Sequence, residues 1–455
     1  MKRSSIDFGK LIAITIAAWI LVEACVEFYN VAWGTGEAVG LFSPRWLILF
    51  VSFVLSCVFV YVCVGIAVLD RERFFALIQN IVTLRNRIPI LSWALAILFL
   101  TIPAWFLQRT MWGVVFDGIY FRLFLWVLTL FLVSFLITRG TTLIEWKSFL
   151  VVLILTSSVF TIAISLQGVT DYPFSMGWSE GNRIWDYSMR FGRDRYGIAD
   201  NQDIYVLLDS GRMLIGGLPF LIPNVTIEIV RLWIGLTLIL PYFLVGIAAY
   251  IVAEKNVRIW ILMTLWVFLF LRQGPIHSPL VLAAALTIFT WRKPLWLAIP
   301  LIIYAGYFAQ ASRFTWLFAP GLWIGMLELA GASLSNGKLN RAHWVRAITL
   351  GLSGAFGGFI LPKLLPLINI ASVATTPVDV TEQIANVGVN SEFVTYAVTD
   401  QPLLWYRLLP NSTYGTGILL GLVIAVLPII LWLVWLSASK KWELNGWQKL
   451  AIVGP

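Results

Sequence analysis

The richest concentration of reactive side chains lies in Asp171-Tyr172-Pro173-Phe174-Ser175-Met176-Gly177-Trp178-Ser179-Glu180-Gly181-Asn182-Arg183-Ile184-Trp185-Asp186-Tyr187-Ser188. Ser179 suits a helix N-cap, and a helix starting there brings Glu180, Arg183, Tyr187 and Arg190 towards one face by three- and four-residue spacing. A carboxylate in the first turn is favoured by the positive end of the helix dipole. Beside arginines it has the character of a general base working next to an anion. Glu180 is therefore the first candidate base, with Asp186 and Asp171 kept open. Trp178 and Trp185 are the indole side chains of this segment, and Arg183, Arg190, His277, Arg313 and Lys363 are candidate cations for an anionic group, arginine being suited by its planar fork of donors.

These residues must be held by a chain that is mostly membrane. Of 455 residues 60% are hydrophobic and 12% charged, about half the charged share of a soluble domain. Mean hydropathy is +0.86. A hydrocarbon core of about 30 Å takes about 20 apolar residues to cross as a helix. Apolar windows lie near 11-28, 46-69, 89-107, 121-138, 148-166, 229-252, 258-271, 278-291, 295-310, 315-331, 345-369 and 413-437. The fold expected is thus an all-α polytopic integral membrane protein of about twelve spans. The first window carries Glu23 and Glu27 and lacks a small-residue cleavage site, so it reads as a retained span and not a signal peptide.

The net charge of +9, from 32 Lys and Arg against 23 Asp and Glu, reports topology and not nucleic-acid binding. Lys2, Lys10, Lys147, Lys255, Lys293, Lys338, Lys440, Lys441 and Lys449 fall on the side of the N-terminus, with Arg71, Arg73, Arg85 and Arg87 in the first loop there. The positive-inside rule makes that side cytoplasmic, both termini included. Lys363 is the exception. Two long loops, 167-228 and 371-412, then face outwards, and their aromatic residues point to packed structure at the membrane surface. The turns Gln273-Gly274-Pro275-Ile276-His277-Ser278 and Gln310-Ala311-Ser312-Arg313-Phe314 bring His277 and Arg313 to the same side. Glu23, Glu27 and Glu328 lie in apolar windows and are costly there without partners. Cys25, Cys57 and Cys63 are all inside apolar runs and read as core side chains. Walker-type, dinucleotide-binding, His-Glu-x-x-His and cysteine-histidine metal patterns are absent from the sequence.

With the acidic position in Trp178-Ser179-Glu180-Gly181 and a return to the membrane through Gly216-Gly217-Leu218-Pro219-Phe220, the layout over residues 148-331 resembles the polyprenol-dependent, multi-spanning glycosyltransferases of the GT-C superfamily. The resemblance implies transfer of a sugar from a polyprenyl-phosphate donor in the bilayer to a lipid, glycan or protein acceptor at the outer face of a plasma or inner membrane. It further implies that a loop carboxylate takes the acceptor's proton, that cations drawn from Arg183, Arg190, His277, Arg313 and Lys363 bind and steady the departing phosphate, and that Trp178 or Trp185 stacks the sugar. Two departures stand out. The acidic motif follows the fifth span and not the first, which makes residues 1-145 an N-terminal addition to a core of 146-437, with 438-455 as a tail. The motif also reads Ser-Glu where the family carries two acids, which leaves a divalent metal open as cofactor. An O-antigen ligase or polymerase-like enzyme and a transporter or lipid flippase are the competing readings. The ligase reading calls for a histidine in 371-412, which has none; the transporter reading calls for charge near the bilayer midplane. The final Trp447–Pro455 stretch reads as the approach to a further apolar segment.

Overall fold

The computed structural model describes residues 8-36, 42-171, 180-199, 204-206, 208-250, 256-272, 277-331, 341-368 and 375-377. Trp178, Ser179, the window 413-437, most of the loop 371-412 and the C-terminal stretch lie outside the described residues. Among the described residues eight helical segments are long and apolar enough to cross a membrane: Phe8–Ala32, Pro44–Leu69, Pro89–Arg109, Ile119–Ile137, Trp146–Ser165, Ile227–Tyr250, Leu295–Ser312 and Arg341–Leu364. Val257–Leu271, Ser278–Thr290 and Phe314–Ala330 are apolar but shorter. The chain is a helical, multi-pass integral membrane protein. It forms two compact units, Met1–Gln167 and Gly168–Pro455. The division falls one helix later than the boundary at 145/146 expected from the sequence.

The first unit contains α1 (Phe8–Ala32), α2 (Pro44–Leu69), α3 (Arg71–Arg87), α4 (Pro89–Arg109), α5 (Ile119–Ile137) and α6 (Trp146–Ser165). The later division is explained by α6, whose Val152 is buried with Ala96 of α4 and Leu130 and Val133 of α5. Phe28, Phe53, Phe116 and Phe121 pack as a ring cluster, with centroids 4.7 Å apart for Phe28–Phe53 and 4.5 Å for Phe116–Phe121. Charges inside this unit cap helix ends. The Glu27 carboxylate accepts from the backbone N–H groups of Tyr120 (3.1 Å) and Phe121 (2.7 Å), so a side chain of α1 satisfies orphan donors at the start of α5. Buried Arg85 donates to the carbonyls of Phe135, Gly140, Thr142 and Leu143 at the other end of α5. Asp70 ends α2 and caps α3 through the Arg73 N–H at 3.0 Å.

The second unit opens with α7 (Glu180–Phe191), then β1 (Ile204–Val206) and α8 (Ser210–Gly217). The segment Ile227–Tyr250 is two helices, α9 (Ile227–Thr237) and α10 (Leu240–Tyr250). Pro241 lacks the N–H that would bond the Thr237 carbonyl, which accounts for the break. There follow α11 (Val257–Leu271), α12 (Ser278–Thr290), α13 (Leu295–Ser312), α14 (Ala319–Ala330) and α15 (Arg341–Ala355). β2 (Thr375–Pro377) runs parallel to β1 with Ile204 opposite Thr375, so a strand near the start of the second long loop pairs with the first loop.

Helices α13, α14 and α15 meet through glycine. A Cβ on Gly354 would lie 2.6 Å from the Gly321 Cα, and one on Gly306 would overlap the Gly354 carbonyl oxygen. Small residues allow this backbone approach where dispersion, and not water exclusion, must hold helices together. Near the other end of α14, Glu328 Oε1 lies 2.8 Å from Arg346 Nε of α15 as an ion pair, out of line for a hydrogen bond. This is the partner that Glu328 needs inside an apolar window.

Candidate functional site

The first long loop, which belongs to the second unit, is folded. Met189, Ile204, Val206 and Met213 form its core. α8 lies directly on α7, because an added Cβ on Gly216 would overlap the Tyr187 ring and one on Gly217 would sit 2.7 Å from the Tyr187 carbonyl oxygen. The start of α8 rests on the end of α13: Gly211 abuts Ser312, and Arg212 Nε donates to the Ser312 carbonyl at 2.9 Å. Trp233 Nε1 donates to the Ile215 carbonyl at 2.7 Å and ties α8 to α9. Ile215, Leu282 and Trp316 pack on buried Ala283, Phe308 and Ala309, joining α8, α12 and α13 under one surface.

That surface carries three basic side chains around one indole. The guanidinium carbons of Arg212 and Arg313 lie 5.9 and 6.0 Å from the Trp316 ring centre, and the His277 ring lies 5.8 Å from it. Cations held against an aromatic face keep their donors available to a further partner. Asp209, the residue before α8, has Oδ2 4.0 Å from Arg212 Nε. Its carboxyl is pushed above the ordinary carboxylate range by burial, which outweighs the opposing pull of Arg212 and Arg313. His277 is pushed below its ordinary value, first by burial and then by the same two arginines, so its imidazole is neutral at pH 7. Tyr187, reaching towards this region from α7, is raised by burial against the attraction of Arg183 and Arg212.

The candidates read from the sequence divide accordingly. His277 and Arg313 come together against Trp316. Their companions, Arg212, Asp209 and Trp316, were not singled out by sequence reasoning. The available signal was Asp209 as an N-cap type residue three positions before an arginine, at the start of Ser210–Gly217. Arg183 is exposed on α7, and Arg190 packs over the Phe191 ring at 5.9 Å. Lys363 sits 4.0 Å above the Phe359 ring, whose neighbour is Phe318. Trp185 is 38% exposed and packs on Tyr196 at 5.0 Å.

The three carboxylates have different surroundings. Asp171 is exposed. Asp186 is buried, and its Oδ2 accepts from the Leu208 N–H at 2.9 Å, bracing the chain between β1 and α8. Glu180 is buried at the start of α7 and chelated by Arg231 of α9, with Nε–Oε1 and Nη2–Oε2 both 2.9 Å. Arg231 Nη1 also donates to the Thr170 carbonyl (2.8 Å) and hydroxyl (3.1 Å). This bidentate pair locks the acidic segment onto a membrane helix. Arginine at position 231 was likewise not singled out, although an arginine inside an apolar window is itself a signal. Among the described residues no group of His, Cys, Asp and Glu is arranged to hold a metal ion. Comparison with protein-family models, with curated proteins and with solved structures finds nothing that matches this chain.

Proposed function

We propose that this protein is a GT-C-like membrane glycosyltransferase that moves a sugar from a polyprenyl-phosphate donor to a lipid, glycan or protein acceptor at the extracytoplasmic face. The observation that carries the proposal is the group of Arg212, His277 and Arg313 around Trp316, with Asp209 beside it, at the end of α13. A lipid-linked phosphate must keep its chain in the bilayer and its headgroup at the boundary, and on this reading the cations stand at that boundary. The two guanidinium groups bind the phosphate oxygens, and neutral His277 donates one further hydrogen bond. As the acceptor hydroxyl attacks the anomeric carbon, the bond from that carbon to the phosphate oxygen breaks. Negative charge builds on the leaving phosphate, where preorganised donors act most strongly. The acceptor's proton passes to a carboxylate.

Asp209 is the carboxylate best suited to take that proton. It is partly exposed, adjacent to the cations and raised in proton affinity. Glu180 would have to act with both oxygens already accepting from Arg231, and we assign it the role of fixing the start of α7 over the membrane. The test is turnover of radiolabelled polyprenyl-phosphate sugars by the full chain in lipid nanodiscs. Asp209→Asn should lower kcat about 100-fold or more with little change in KM. Arg313→Gln should weaken donor binding as well. Collapse in Glu180→Gln with near-normal Asp209→Asn would return the base to Glu180. Folded protein without turnover on any such donor would refute the glycosyltransferase reading.

A further inference from the structure

The connection between α2 and α4 is a helix of 17 residues, α3, joined to each membrane helix through one residue, Asp70 and Ile88. At 1.5 Å per residue it is about 25 Å long. With linkers this short at both ends it cannot leave the membrane surface, and its Arg71, Arg73, Gln79, Asn80, Arg85, Asn86 and Arg87 forbid its crossing the bilayer. One side of α3 is occupied by protein: Val82 and Arg85 are buried, and Arg85 is spent on the carbonyls at the end of α5. A second side is apolar and uncovered. Leu77 (63% exposed), Ile81 (54%), Leu84 (54%) and Ile88 (42%) are spaced four, three and four residues apart, which makes a single stripe along the helix. At 100° per residue, exposed Arg73 and Arg87 lie about 50° and 90° from the centre of that stripe, both on the flank away from Arg85.

We infer that α3 is an interfacial helix whose stripe rests on lipid acyl chains and whose Arg73 and Arg87 bind the phosphates of anionic lipids. A helix in this layer buries its apolar face to the depth of the headgroup and acyl boundary, and flanking arginines extend to the phosphate level. The occupant is lipid because the chain itself delivers the stripe to the bilayer surface at both ends, and because the rim charge complements an anionic leaflet. This inference is independent of the glycosyltransferase reading.

The test uses the full chain in nanodiscs of phosphatidylcholine with phosphatidylglycerol, with Cys25, Cys57 and Cys63 replaced by alanine. Single environment-sensitive labels are attached through Leu77→Cys, Ile81→Cys, Gln79→Cys and Thr83→Cys. Labels at 77 and 81 should be quenched severalfold more by brominated lipid than by aqueous iodide, and labels at 79 and 83 the reverse. Phosphatidylglycerol retained in native mass spectrometry should fall about fivefold for each of Arg73→Gln and Arg87→Gln, and should be unchanged in Glu72→Gln. Iodide quenching equal at all four positions would overturn the inference by showing the stripe in water. Shielding of 77 and 81 from both quenchers would overturn it by showing a second protein copy on the stripe. Lipid retention insensitive to both arginines would remove the phosphate contact.

Discussion

Breaking the Glu180–Arg231 pair should cost more than any comparable change in the outer loop. Arg231 is 4% exposed and Glu180 8%, and the guanidinium donates two hydrogen bonds to the carboxylate and two to Thr170. Arg231→Met leaves a buried carboxylate without its counter-ion and the Thr170 carbonyl without this donor. Removing one member of a buried pair costs about 3–5 kcal/mol. Glu180→Gln keeps the shape and one acceptor but loses the charge assistance, a cost of about 1.5–3 kcal/mol. Replacing both by apolar residues removes the stranded charge, so Glu180→Leu with Arg231→Met should be less damaging than Arg231→Met alone. The coupling between the two sites should then be at least about 2 kcal/mol. Reversible unfolding of the full chain in mixed micelles supplies the free energies. Limited proteolysis of the 167-228 loop reports whether α7 has come loose. Single substitutions costing under about 1 kcal/mol, or a double variant additive to within about 0.5 kcal/mol, would refute the claim that this pair anchors the loop.

Binding of sulfate, which keeps its charge between pH 5 and 8, should strengthen as pH falls. Burial is the first cause of the lowered His277 value and the two arginines the second; an anion between Arg212 and Arg313 offsets the second, so that His277 gains affinity for a proton and takes one up when the anion binds. Calorimetry in buffers of different ionisation heat measures the uptake, and His277→Gln should abolish it. Glu27→Ala removes the acceptor for two N–H groups at the start of α5 and should destabilise the first unit by about 2 kcal/mol, with Glu27→Gln costing less, as read by thermal unfolding. Gly354→Ala drives a Cβ to 2.6 Å from the Gly321 Cα and should cost about 3 kcal/mol, whereas Gly325→Ala, whose Cβ meets its nearest neighbour at an ordinary 3.7 Å, should be near neutral.

How far the sequence speaks depends on the range of the interaction. A membrane helix is written in a continuous apolar window, because each backbone group bonds within the segment and the lipid selects the side chains. The windows at 46-69, 121-138 and 258-271 therefore correspond closely to Pro44–Leu69, Ile119–Ile137 and Val257–Leu271. In the sequence α3 stands out only as a loop rich in arginine, although Leu77, Ile81, Leu84 and Ile88 already carry helical spacing. Its weakly apolar sequence hides a helix from a search for spans. Partner choice is less legible still. Helical spacing offers Arg183 to Glu180, but the packing of α9 brings Arg231, 51 residues along the chain. Arg212 was one charge among a dozen in its loop, and its meeting with Arg313 follows from α8 lying on the end of α13, a contact with no local signature.

Among the described residues, two kinds of charged group can be told apart, and the difference is what marks the site. Glu27 is opposed by backbone N–H groups, Arg85 by carbonyls, Glu180 by Arg231 and Glu328 by Arg346. Each of these arrangements balances charge with charge or with dipole, as burial requires. Among the described residues, the Trp316 group has two guanidinium groups to one carboxylate. It gathers Arg212, Arg313 and His277 beside one partly exposed carboxylate, Asp209. The His277 imidazole is held below its ordinary value first by burial and then by the two arginines. Like charges held together cost free energy unless something of opposite sign joins them, and an anionic ligand is what offsets that cost. Arg313→Gln supplies a test with opposite signs for the two kinds of charge. It should leave stability unchanged or raised, while weakening sulfate binding about tenfold and letting the His277 value rise. The same substitution at Arg231 should destabilise the fold. If Arg313→Gln instead destabilises the protein as Arg231→Gln does, the Trp316 group is a structural network and not a binding site.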